Sequence, residues 1–162
     1  MDTFFLNELK SCCADINADR ENAGGISRVL GAYRRIMDFS ELARQEGLLA
    51  LCDACDKLDK SDRTQGFLFR LILQVVDGAE PAVVSEIGLN MLAADDYHAY
   101  EGLTVLMYYK GACLIQTGVS IDRLGSYMQS LMPQFLREIL QKKEEERSED
   151  DYIKEDDKRD KL

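Results

Sequence analysis

Residues 66–76 read Gly66-Phe67-Leu68-Phe69-Arg70-Leu71-Ile72-Leu73-Gln74-Val75-Val76, and two periods fit them. As a strand, Phe67, Phe69, Leu71, Leu73 and Val75 would share one side. As a helix, Arg63, Gly66, Arg70, Gln74 and Asp77 fall on one narrow stripe and the rest of the circumference is apolar, the pattern of a central, buried helix. The helical period accounts for more residues, and it recurs on both sides of this stretch. The fold class it predicts is all-α, a multi-helix bundle with one long helix and helical hairpins.

Upstream, Phe5, Leu9, Cys12 and Ile16 mark one face of a first helix, which Gly24-Gly25 is expected to break. From Ile26 the apolar series Val29, Leu30, Tyr33, Ile36, Met37, Leu42, Leu48, Leu51, Cys55 and Leu58 runs without a strong stop until the polar cluster at Asp59 to Asp62. A single helix of that length would extend about 50 Å at about 1.5 Å per residue, unless Gly47 bends or divides it. Downstream, Gly78 is a C-terminal stop and Pro81 suits the first turn of the next helix. Asp95 or Asp96 is the expected cap of a helix carrying Tyr100, Leu103, Leu106, Met107 and Leu114 and ending near Gly118. Ser120 caps the following segment, and Pro133 interrupts it before a short amphipathic helix through Phe135, Leu136, Ile139 and Leu140. Gly88, Gly102, Gly111 and Gly125 stand singly inside helical patterns, each costing about 1 kcal/mol relative to alanine, which points to close helix contacts.

The chain has 162 residues, 46% of them apolar, enough for one domain without disulfide or metal. The expected organisation is a single helical domain over 1–141 and a charged tail over 142–162, where only Tyr152 and Ile153 are apolar and disorder is expected. Net charge is −10. Nucleic acid and anionic membrane surfaces both call for a basic stripe, so like-charge repulsion disfavours them as partners. No apolar run reaches the roughly 18 residues of a membrane span. Five cysteines, an odd number, without a leader pattern predict free thiols in a reducing, cytoplasmic setting.

Catalytic constellations are hard to assemble. A lone histidine, His98, is read as a first-turn surface residue, and any Ser-His-Asp or Cys-His arrangement would depend on it. Cys52-Asp53-Ala54-Cys55 has redox or zinc spacing, but no second pair completes a four-ligand set, and the pair comes late in a helix instead of opening one. No glycine-rich phosphate loop is present. No enzymatic activity, metal or cofactor is expected.

Tyr33-Arg34-Arg35, then Phe39-Ser40-Glu41-Leu42-Ala43-Arg44-Gln45-Glu46-Gly47-Leu48-Leu49-Ala50-Leu51, then Leu73-Gln74-Val75-Val76-Asp77-Gly78-Ala79-Glu80-Pro81, resemble the cytoplasmic region of flagellar stator proteins of the MotA family, over roughly residues 33–87. The resemblance implies a non-enzymatic contact surface centred on Arg44, with Glu46 and Asp53 nearby and Arg34 and Arg35 as further candidates, facing the rotor switch protein. It departs where that family has a glutamate after Leu-Leu-Ala-Leu: here Cys52 stands, moving the paired charge to Asp53 or removing it. The family's membrane helices and proline-bearing channel segments are missing from this sequence, so alone it neither conducts ions nor generates torque. The alternative is a helical scaffold that forms homo-oligomers through the amphipathic segment 127–140, unrelated to motility.

Overall fold

The computed structural model describes residues 2–161. Asp2 accepts the Phe5 amide at 3.1 Å and opens α1, Thr3–Asn17, whose buried face is Phe5, Cys12 and Ile16. The break after it falls at 18–22, not at Gly24-Gly25. Asn22 accepts the Gly25 amide at 2.9 Å, so both glycines belong to the first turn of α2, Ala23–Glu46. Gly25 is there for proximity: a Cβ on it would meet the Tyr100 ring at 2.5 Å.

Gly47, with φ at +88°, adopts a conformation no α-helix contains, and it divides the long apolar series. A single 3-10 turn, Leu48–Ala50, leads into the short α3, Leu51–Asp56. The stretch at 66–76 is helical, within α4, Arg63–Val76. Its buried residues Phe67, Leu68, Leu71, Ile72 and Val75 occupy one face while Arg70 is exposed, so α4 is amphipathic and not the central helix expected of it. Gly78 ends it with φ at +81°, and Pro81 opens α5, Pro81–Ala94, as the sequence predicts.

The central element is α6, Ala99–Gln116, where every residue from Gly102 to Tyr109 is buried. It packs on α1, α2, α4 and α5 and on α7, Ile121–Ser130. Its tyrosines make it look half-polar in sequence. Buried, Tyr108 accepts a bond from Arg35 at 2.7 Å and Tyr109 shares one with Ser85 at 2.8 Å, which is how phenols enter a core. The cap expected at Asp95 or Asp96 is also corrected. Asp95 closes α5, and His98 holds the N-terminal position of α6 without a side-chain cap bond. Tyr97, buried and edge-on to Phe67 at 6.1 Å, draws the preceding residues out as extended chain and delays the helix. Ala99 then takes a left-handed φ of +50°.

Close helix approaches account for three of the isolated glycines. A Cβ at Gly88 would collide with the Tyr109 ring, at Gly102 with the Cys12 thiol and at Gly111 with Ile36. Ser120 caps α7, accepting the Arg123 amide at 3.4 Å.

The chain divides into two compact units, Met1–Met132 and Pro133–Leu162. The second is α8, Gln134–Arg159, a continuous helix through the tail for which composition predicts disorder. Pairs one turn apart stitch its surface, including Gln134 to Glu138 at 3.0 Å and Gln141 to Glu145 at 3.3 Å, and Lys161 just past its end reaches back to Asp157 at 3.8 Å. Tyr152 and Ile153 are exposed on it, 70% and 64%. Among the described residues there is no strand, and no helix is long and apolar enough to cross a membrane.

Candidate partner-binding cleft

Helical spacing places Gly31, Arg34, Arg35, Asp38 and Leu42 along one face of α2. After the turn at Gly47 the same spacing lines up Ala50, Asp53, Ala54 and Lys57. These two stripes, with Glu46 at the end of α2 and Phe39 and Leu58 between them, enclose an open cleft of about 680 Å³. Four of the five residues implied as a contact surface, Arg34, Arg35, Glu46 and Asp53, therefore line one depression. The fifth does not. Arg44 is exposed in the last turn of α2, and nine residues after Arg35 it points about half a turn away.

Asp38 and Lys57 are the members that sequence reading missed. Each lies one helical turn from a residue already chosen, Asp38 from Arg34 and Lys57 from Asp53, and that spacing was the available signal. Beside the cleft, at the Gly47 turn, Leu49 is 74% exposed, more than any other large apolar side chain in the first unit. Exposed leucines are ordinary on protein surfaces, and this one precedes Ala50 of the cleft lining in sequence.

A second depression of about 330 Å³ adjoins the first, sharing Gly31 and Arg35 and adding Arg28, Asp62, Thr64 and Tyr108. Asp62 organises it. Its carboxylate accepts the Thr64 amide at 3.0 Å, the Thr64 hydroxyl at 2.8 Å and Arg28 at 3.2 Å, so it caps α4 and ties α2 to it. Partial burial works to raise the Asp62 pKa, but the Thr64 bonds and the Arg28 charge together hold it below the usual carboxylate value. Asp62→Ala removes both cap and tether, and a urea titration is expected to show a loss of about 1 to 2 kcal/mol. An unchanged midpoint would mean that Arg28 and Asp62 contribute nothing together.

A third depression, about 300 Å³, lies around Arg63, Arg70 and Tyr97. Arg63 stacks 4.3 Å over the Tyr97 ring and bonds Glu101 and the Asp96 carbonyl, so its charge is already matched. His98 lines none of the three; exposed, it faces Asp96 at 2.7 Å. Cys52 is half-buried and Cys55 fully buried in α3, and burial first, then the neighbouring Cys52 and Asp56, pushes the Cys55 pKa to about 12. All five thiols are free, and no group of three or more His, Cys, Asp or Glu among the described residues could hold a metal ion. In the segment 127–140, Met128, Leu131, Met132, Leu136 and Leu140 are buried, leaving Tyr127, Phe135 and Ile139 half-exposed.

No family model matches the chain, and neither a curated protein nor a solved structure is detectably similar to it.

Proposed function

We propose that the chain is a non-enzymatic protein-binding module of the cytoplasm, similar to the cytoplasmic region of flagellar stator proteins, and that it engages the rotor switch protein through the cleft between α2 and α3. One observation supports this reading: four of the five charged residues implied by the resemblance, Arg34, Arg35, Glu46 and Asp53, line a single depression across the turn at Gly47, although Arg44 does not. Opposite charges at such a rim set specificity and encounter rate more than net affinity, while a partly apolar floor supplies the burial.

A pull-down with purified rotor switch protein tests it. Wild-type chain is expected to retain the partner, Arg34→Glu with Arg35→Glu to lose most of it, and Arg44→Glu to lose less, because Arg44 lies outside the cleft. Equal recovery with all three proteins would remove the cleft as the docking site, and none with any would remove the motility reading.

A further inference from the structure

The two adjoining depressions meet over Gly31, where an added Cβ would find nothing within 4 Å, so the floor between them is open. Arg35 stands at that junction, half-buried. Of its five N–H donors, one is used, donated to the Tyr108 hydroxyl at 2.7 Å. Among the described residues no carboxylate lies within ion-pair distance of it, Asp38 one turn along α2 included. Asp62 is the carboxylate of the second depression, and it is occupied by Thr64, Gln65 and Arg28, while the first is lined by Asp38, Glu46 and Asp53 as well as by Arg34 and Lys57, none of the three carboxylates paired with Arg35. Tyr108 supplies no counter-charge either, since burial raises its pKa and keeps the phenol neutral. A planar cation with free donors, set between two open depressions and left without an anion, matches the bidentate geometry of a carboxylate.

The floor beyond Arg35 also favours one kind of carrier. Phe39 and Leu42 continue the trough as an apolar strip, and Glu46 lies eleven residues along α2, about 16 Å away at helical rise. A small free acid would leave that strip uncovered, whereas a peptide segment spans it.

We propose that the trough over Gly31 receives an acidic side chain of a protein partner, its carboxylate seated on Arg35 and its apolar neighbours on Phe39 and Leu42. This rests on reading the cleft as a partner surface, but not on the partner being a motor protein. It also opposes the bulk electrostatics: a chain of net charge −10 attracts basic peptides at long range, so acidic selection has to be local.

Selection of a random dodecapeptide display library on the immobilised full chain reads this directly. Enrichment of Asp or Glu beside apolar residues is expected, with at least tenfold weaker binding after the acidic residue is changed to Gln. Gly31→Trp fills the trough from a position with space for the new side chain, and Arg35→Gln removes the cation. Each is expected to weaken the selected peptides tenfold or more, with the Gly31→Trp melting temperature at or above that of wild type. No enrichment, enrichment of Lys or Arg, or acidic peptides indifferent to both substitutions would overturn the proposal. Acidic peptides that depend on Gly31 and Arg35, alongside failure of the rotor protein to bind, would sink the motility reading and leave this one standing.

Discussion

Gly111→Ala is expected to destabilise the protein by about 2 kcal/mol, although alanine is the better helix former by about 1 kcal/mol. The new methyl would lie 2.6 Å from Ile36 Cδ1, 2.8 Å from Cγ2 and 2.9 Å from Cγ1. Ile36 is fully buried and branched at Cβ, so rotating one of its arms away brings another into the same space. The backbones of α2 and α6 must separate instead, in a region with no slack. Gly31→Ala, on α2, makes the opposite case: its methyl meets nothing, and a gain of about 0.5 to 1 kcal/mol is expected. Urea midpoints of the two variants should therefore move in opposite directions. Ile36→Val removes Cδ1, and combined with Gly111→Ala it should recover part of the loss as a coupling of about 1 kcal/mol. If Gly111→Ala is as stable as wild type, the close approach of α2 and α6 is not as tight as described.

Alkali should be the second large effect. Cys12 and Cys55 have pKa values pushed from 9.0 to about 12, chiefly by burial, with Glu8 adding to the first and Cys52 to the second. A raised pKa means that the folded state holds its proton longer than the unfolded chain. Stability from these thiols is complete below pH 9 and falls as pH rises from there toward 12, at roughly 1 kcal/mol per unit for each thiol and 2 to 3 for both. Tyr97, Tyr100, Tyr108 and Tyr109 are shifted upward by burial too and add to the fall above pH 10. Urea titrations under reductant from pH 8 to 10.5 should show the slope, and replacing Cys12 and Cys55 with alanine should flatten it. A midpoint constant to pH 10.5 in the unsubstituted protein would contradict this account. The same burial predicts that iodoacetamide at pH 8 modifies these two thiols far more slowly in folded than in unfolded protein, because the fold both hides them and holds them protonated.

Much of the fold was legible because its signals were local. Gly78, Pro81, Gly118 and Ser120 act where their own chemistry places them, and the 3.6-residue period separates helix from strand at Phe67 to Val75. What escaped depends on distant partners. Nothing near Tyr108 or Tyr109 in sequence reveals that Arg35 and Ser85 satisfy them, so in sequence α4, and not α6, has the pattern of a central helix. Asn22 reaching Gly25, and Tyr97 packing on Phe67, moved two helix starts by a few residues for the same reason. In the cleft, Arg34, Arg35, Glu46 and Asp53 were within reach through a resemblance that also chose Arg44, which helical phase turns outward. Gly31 carried no signal, since an open floor is recognisable only from what stands around it.

Because α6 is enclosed along most of its length, its amide hydrogens between Leu103 and Ala112 have no route to solvent through fraying or surface ripples. Deuterium uptake there is expected mainly when the whole first unit opens, so the slowest of these amides would act as a clock for its complete opening. A molecule that settles on the outer helices slows that clock in proportion to its hold on the folded form, so the most hidden helix of the protein can report events at its exterior.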